Sequence, residues 1–170
     1  MTKTKWTKDA AEKIKQGDQD QIDRAEMRKR ANDIINAKGP ELWNRLCVTM
    51  QGDIDDFNAE LGQDDDPRRL RIDIDGNRLS AQRQSNYPLI QLLVECRLDL
   101  VHTLEYRYRK VDKPGQRFNE SIQDATAHST LLIAKDGSDN LYYSKDGQGG
   151  QQLQLEEVSE FLLKPVVESK

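Results

Sequence analysis

The chain has few of the residues on which most enzyme sites depend. Its 170 residues include only two histidines, His102 and His128, and only two cysteines, Cys47 and Cys96. Neither histidine comes with a Gly-x-Ser-x-Gly elbow or a cysteine–histidine signature, and no CxxC pair, HExxH sequence or Walker loop occurs. We therefore expect a protein that is not an enzyme, with no catalytic residue, no cofactor and no metal.

Long apolar stretches are missing as well. No run approaches the roughly 20 apolar residues of a transmembrane helix, and the first residues lack the apolar core of a signal peptide. Cys47 and Cys96 both fall at apolar positions of the pattern, where a thiol behaves as a small buried hydrophobic side chain. We expect a cytoplasmic protein with reduced thiols and no membrane contact.

Charge of one sign does not dominate the chain. Apolar residues make up 35% and charged residues 33%, and the formal net charge of −4 is too small to indicate a partner. The charges alternate in blocks: residues 40–68 carry 2 basic and 8 acidic side chains, whereas residues 1–39 and 69–111 are net basic. We expect these blocks to attract one another within the monomer.

A helix over residues 40–61 organises the predicted fold. Six apolar residues follow a 4-3-4-3-4 spacing, which places them in one stripe on a helix. They are Trp43, Cys47, Met50, Ile54, Phe57 and Leu61. Pro40 suits the first turn of this helix, and Gly62 suits a left-handed cap at its end. The stripe needs a surface to cover, and the sheet that follows in the sequence provides the only large one.

A weaker helical segment precedes this helix. Gly17 is expected to interrupt or kink it, and its second half carries only a thin apolar stripe. That stripe consists of Ile22, Ala25, Ala31, Ile34 and Ile35. We therefore expect two N-terminal helices, with a helical extension over residues 1–38 and a single α+β domain over residues 39–170.

Alternating apolar and polar residues predict a meandering antiparallel sheet of about five to six strands. Asp75-Gly76-Asn77 predicts a tight hairpin, because Gly and Asn accept positive φ. Residues 90–108 keep their even positions apolar for longer than an ordinary strand, so they form either one long bent strand or two strands joined by an odd-length loop or a bulge, and we favour two strands. A closing helix from about residue 153 to 167 is expected to pack on one sheet face, which gives an α+β fold.

Three functional hypotheses follow, and the first is an interaction or adaptor protein. Its N-terminal helix docks on a protein partner or on a second subunit, because a weakly amphipathic helix gains stability from such packing. The second is a small-molecule binding module, in which a cavity between helix 40–61 and the sheet takes a small apolar ligand. Its lining is predicted to be Trp43, Met50, Phe57, Tyr106 and Tyr108, although such residues more often form a filled core.

The third hypothesis, ranked last, is a weak nucleic-acid binder. If the strands alternate as predicted, five arginines project from the sheet face opposite the core and can contact phosphates. They are Arg69, Arg71, Arg97, Arg107 and Arg109. Acidic residues dilute the charge of this face. Tyr106 and Tyr108 carry the inward parity, so the face lacks the aromatic side chains on which bases stack.

Overall fold

The structure is a computed structural model that describes residues 5–99, 101–117, 129–145 and 150–169. The chain divides into two compact units, Met1–Ile34 and Ile35–Lys170. The described part of the first unit is helical throughout. The second unit holds the sheet, the C-terminal helix and a hydrophobic core of its own. The predicted domain boundary after residue 38 stays a prediction.

Two helices and seven strands form within the described ranges. In chain order they are α1 (Lys5–Leu61), β1 (Leu70–Asp75), β2 (Arg78–Arg83), β3 (Leu89–Arg97), β4 (Thr103–Val111), β5 (Ser129–Lys135), β6 (Leu141–Ser144), β7 (Gln152–Leu153) and α2 (Leu155–Val167). All strands lie in one sheet in the order β1 to β7, and every neighbouring pair is antiparallel. The predicted combination of helices, a meandering antiparallel sheet and a C-terminal helix is confirmed.

The prediction of two N-terminal helices is wrong, because α1 is a single helix. Gly17 has open space around it and costs about 1 kcal/mol relative to alanine, which is too little to end a helix of this length. Pro40 lies inside α1 instead of in a first turn. Ile35 before it and Leu42 after it are buried in the same core. This packing on both sides offsets the roughly 3 kcal/mol that an interior proline costs.

The prediction of five to six strands is also wrong, because the described residues form seven. The additional strand, β7, has only two residues, Gln152 and Leu153, which pair with Ser144 and Tyr143 of β6. Two residues are too few to show an alternating pattern. The sequence pattern assigned Leu153 to the closing helix, which begins two residues later.

The two predicted connections are confirmed. Asp75 pairs with Arg78, so Gly76 and Asn77 form a two-residue loop, and Gly76 adopts a φ of 58°. Five residues, 98–102, separate β3 from β4. Because this number is odd, the even-numbered residues of both strands lie on the same sheet face.

The core lies between the helices and one face of the sheet. The predicted stripe of α1 is buried there: Trp43, Cys47, Met50 and Ile54 are buried, and Phe57 packs against the same cluster. The sheet contributes the even-numbered residues of β3 and β4 and the odd-numbered residues of β2 and β5. These include Leu79, Ala81, Leu92, Val94, Cys96, Leu104, Leu131 and Ile133, and α2 adds Val158, Leu162 and Val166.

A polar side chain fastens the end of α1 to the first strand. Asn58 is buried, and its Nδ2 donates to the carbonyl oxygen of Leu70, 2.9 Å away. The backbone nitrogen of Leu70 donates in turn to Oδ1 of Asn58 over 2.8 Å. The amide therefore bonds to both backbone groups of Leu70 and fixes the position at which β1 begins.

Candidate functional site

The five residues predicted to line an apolar pocket occupy different parts of the core. Met50 is completely buried, and Tyr106 and Tyr108 are partly buried with their rings edge to face at a centroid distance of 6.2 Å. Trp43 and Phe57 each line a different cleft. A pocket formed by all five stays a prediction.

The cleft beside Trp43 has a volume of about 530 Å³. It opens between α1, the β1–β2 turn and the end of β3, and its lining includes Asn77, Glu95, Arg97 and Leu98. The indole Nε1 of Trp43 donates to a carbonyl oxygen of the turn over 2.8 Å, so its polar edge is already bonded within the protein. The lining mixes both charge signs with amide and apolar groups, and this mixture does not single out one class of ligand.

The two cysteines belong to the core. Burial raises the pKa of the Cys47 thiol to about 11. Burial, together with the charge of a Cys47 thiolate, raises the pKa of Cys96 to about 12. Thiols with such pKa values stay protonated near neutral pH, and a protonated thiol is a poor nucleophile and a poor metal ligand. Neither residue therefore marks a reactive site.

The histidines give no catalytic arrangement in the part of the chain that the structure describes. Nε2 of His102 lies 3.2 Å from Oδ1 of Asn36, and His128 lies outside the described residues. Among residues 5–99, 101–117, 129–145 and 150–169, no three His, Cys, Asp or Glu side chains are grouped as a metal site requires. That the chain is not an enzyme stays a prediction.

Three of the five predicted arginines lie on the outer sheet face among polar partners. Nη1 of Arg97 lies 3.8 Å from Oε1 of Glu105, and its Nη2 lies 3.6 Å from Oδ2 of Asp99. Nε of Arg109 donates to Oε1 of Gln91 over 2.7 Å. The guanidinium groups of Arg97 and Arg109 are thus engaged by side chains of the same protein, which lowers the positive potential of this face.

Two glutamates on this face stand directly opposite each other. Glu95 of β3 pairs in register with Glu105 of β4, and only 3% and 7% of their surfaces are exposed. Like charges at such positions repel, so they need nearby cations. Nε of Arg78 lies 3.8 Å from Oε2 of Glu95, and Arg107, the third predicted arginine here, is buried on the same face. The outer face is therefore a network of mixed charge.

The remaining two arginines lie at the edge strand. Arg69 precedes β1, and its Nη1 donates to the carbonyl oxygens of Asn58 and Gln63 over 3.2 and 3.4 Å. Arg71 lies on β1 and is exposed. The structure thus places the five arginines in different surroundings, and nucleic-acid binding through them stays a prediction.

The first unit exposes large apolar side chains that the sequence pattern placed on a weak helix. The exposed fractions are 66% for Ile14, 52% for Ile22 and 72% for Met27. Successive residues of a helix differ by about 100° around its axis, so Ile14 and Ile22 lie about 80° apart. Met27 lies about 140° from both of them on the same geometry. Ile14 and Ile22 therefore share one side of the helix, and Met27 lies on another.

Small residues extend the side that Ile14 and Ile22 share. We call this surface the 7–25 face and define it by Thr7, Ala10, Ala11, Ile14, Ile22 and Ala25. Asp18 and Gln21 interrupt it. Small side chains let a second helix approach closely, because the distance between packed helices depends on the side chains at their contact.

The charges along this helix change sign near the middle of the 7–25 face. Residues 5–15 carry four lysines and two acidic residues, which gives +2, whereas residues 16–23 carry three aspartates and no basic residue, which gives −3. The apolar face and the two charge blocks thus have nearly the same centre, close to residue 16.

Neither helix of the described chain combines the length and the apolarity that crossing a membrane requires. Comparisons with models of protein families, with curated proteins and with solved structures found no match to this chain.

Proposed function

We propose that this chain is a non-enzymatic interaction protein in which the 7–25 face packs against the same face of a second copy. The observation that carries the proposal is the exposure of Ile14 and Ile22 on the helix of a separate unit. A single helix is marginally stable in water and gains most of its stability when an amphipathic face is packed. A second copy supplies such packing.

The charge pattern favours an antiparallel second copy. A parallel pair in register places acidic residues 16–23 of both copies against each other, which is repulsive. An antiparallel pair centred near residue 16 places the basic block 5–15 of each copy opposite the acidic block 16–23 of the other. This attraction occurs twice around one two-fold axis, so the assembly closes as a dimer.

Substitutions on the 7–25 face test the dimer. The full chain is expected to have about twice the mass of the 19.6 kDa monomer in light scattering coupled to gel filtration. Ile14→Asp and Ile22→Asp are expected to convert it to a monomer, because both place a charge in the packed surface. Met27→Asp is the matched control, since it puts the same charge on an exposed apolar position of another side of the helix.

A monomeric full chain over the whole accessible concentration range would overturn the dimer. The 7–25 face would be the wrong surface if Met27→Asp dissociated the dimer and the two isoleucine variants did not. Circular dichroism checks that all three variants keep the same helix content, so that a loss of mass reflects the interface.

Charge reversal tests the antiparallel arrangement and its block pairing. One variant carries Lys13→Glu and Lys15→Glu, and the other carries Asp18→Lys and Asp20→Lys. Each variant alone is expected to be monomeric, because its blocks 5–15 and 16–23 then carry charge of the same sign and repel those of a second copy. An equimolar mixture is expected to form heterodimers, in which opposite blocks face each other at both ends. If each variant alone formed dimers as readily as the wild type, the charge blocks would not determine the pairing.

A further inference from the structure

A groove on the second unit combines an apolar floor with an acidic rim. It lies between the C-terminal part of α1, strand β1 and α2, and its volume is about 420 Å³. Phe57, Leu70, Leu163 and Val167 form the floor. Leu70 and Leu163 are buried, whereas Phe57 and Val167 are partly exposed. Apolar surface of the core thus reaches solvent along the seam between the two helices.

The rim of the groove carries a net negative charge. Three acidic residues surround the floor: Asp53 of α1, Glu160 of α2 and Glu168 just after α2. One basic residue, Lys164, lies among them. Nζ of Lys164 lies 4.0 Å from Oε1 of Glu168, and both side chains are exposed. Three carboxylates and one ammonium group leave a charge of −2. The exposed acidic residues Asp56 and Glu60 continue the same flank of α1.

Contacts outside the floor hold the walls of the groove in place. Oγ of Ser159 is buried and donates to Oδ2 of Asp53 over 2.5 Å, which ties α2 to α1. Nη2 of Arg83 donates to the carbonyl oxygen of Val167 over 2.6 Å, which ties the end of α2 to β2. A groove with fixed walls loses little conformational entropy when a ligand binds.

We propose that this groove binds a basic amphipathic helix of a different protein. Apolar side chains one turn apart on that helix contact Phe57, Leu163 and Val167, and flanking lysines or arginines face Asp53 and Glu160. This is the helix-in-groove mode, in which the apolar face supplies affinity and the charged flanks supply specificity.

The proposal goes beyond self-association through the 7–25 face and does not depend on it. The groove belongs entirely to residues 53–168 of the second unit. A dimer with one such groove on each copy presents two equal binding sites, which is what an adaptor requires. A monomeric chain would keep one groove with the same chemistry.

A designed peptide serves as the probe in isothermal titration calorimetry with the full chain. It is a helical peptide with leucines one turn apart and lysines at the flanking positions. Two counterparts have the leucines replaced by alanine or the lysines replaced by glutamate. We expect the first peptide to bind with a Kd in the micromolar range, and both counterparts to bind at least about tenfold more weakly.

Glu160→Lys is expected to weaken binding of the basic peptide at least about tenfold. Asp73→Lys is the matched control. Asp73 is exposed on the outer face of β1, so the control makes the same type of charge change away from the groove and is expected to keep the affinity. In NMR spectra, the signals of Phe57 and Leu163 are expected to shift on addition of the peptide.

Three outcomes overturn the proposal. They are no heat of binding with the basic peptide, equal weakening by Asp73→Lys, and equal affinity for the alanine counterpart. The second and third indicate general attraction to an acidic surface. Each outcome is distinguishable from failure of the dimer, because peptide binding is measured equally well with the monomeric Ile14→Asp variant.

Discussion

Asn58 is the polar residue on which the joint between the main helix and the sheet depends. Asn58→Ala leaves the backbone N–H and C=O of Leu70 without these partners in a buried site, and each buried polar group without a hydrogen bond costs about 1–3 kcal/mol. We therefore expect the free energy of unfolding in urea to fall by about 2–4 kcal/mol. Asn44→Ala, at an exposed position of the same helix, is expected to change it by less than about 0.5 kcal/mol.

The two core thiols make stability depend on pH in the alkaline range. Their pKa values in the folded state, about 11 and about 12, lie above the ordinary value of 9.0 that the unfolded chain has. Above pH 9 the unfolded chain therefore binds fewer protons than the folded one. The free energy of unfolding therefore keeps its full value below pH 9 and decreases as the pH rises through the folded-state pKa values.

Urea unfolding at a series of pH values from neutral to about 10 checks this dependence, because most tyrosines titrate only near the upper end of that range. In the double variant Cys47→Ala and Cys96→Ala, the free energy of unfolding is expected to be lower at neutral pH but to depend much less on pH. If it decreased with pH as steeply as in the wild type, groups other than the two thiols would cause the alkaline destabilisation.

At the scale of elements, substitution by alanine is expected to have opposite effects at two glycines of α1. A Cβ at Gly39 would lie 2.7 Å from Cδ2 of Leu98, whereas one at Gly17 has no neighbour within 4 Å. Gly17→Ala is therefore expected to increase helix content, measured by circular dichroism, since it gains up to about 1 kcal/mol in helix propensity. Gly39→Ala is expected to lower the free energy of unfolding by up to about 2 kcal/mol, because overpacking costs about 1–3 kcal/mol and the same gain in helix propensity offsets only part of it.

A double-mutant cycle isolates the contact behind the second effect. In a Leu98→Ala background the clash at residue 39 is absent, so Gly39→Ala is expected to become neutral or stabilising. If Gly39→Ala remained destabilising in that background, the close approach of Leu98 would not be its cause.

Sequence patterns correctly predicted those elements for which the turn residues and the spacing of apolar residues indicate the same structure. Gly76-Asn77 and the change of inward parity across it both specify the β1–β2 hairpin, and the structure contains it. The helix assignment was wrong at Gly17, whose cost of about 1 kcal/mol is too small to end a helix, and at Pro40, whose larger cost is offset by the packing on either side of it. Strand alternation also says which side chains face outward, but not that outward residues such as Glu95 are buried.

Parts of the candidate site were predictable for the same reason. The 4-3-4-3-4 spacing located the buried stripe that ends at Phe57, and weak periodicity marked residues 7–38 as a helix without a core. The groove beside Phe57 was not predictable, because it depends on where α2 lies relative to β1. Contacts between residues so distant in sequence leave no signal in the pattern of a single sequence.

At the scale of the whole molecule, the two units differ in what holds them folded. Residues 35–170 contain the buried core, whereas the described part of residues 1–34 contains no buried apolar side chain. The low apolar share of the composition, 35%, follows from this difference. Stability of the first unit must come from its own helix or from another molecule, and only the second source depends on concentration.

Hydrogen exchange at several protein concentrations separates these two sources. If the 7–25 face packs on a second copy, amides of residues 5–34 are expected to exchange quickly in dilute protein and at least about tenfold more slowly well above the dissociation constant. Core amides such as those of Leu92 and Leu104 are expected to exchange at the same slow rate throughout. In the Ile14→Asp variant the dependence on concentration disappears. Strong protection of residues 5–34 at the lowest concentration would mean that the helix is stable without a second copy, and the reason for its exposed apolar face would then have to lie elsewhere.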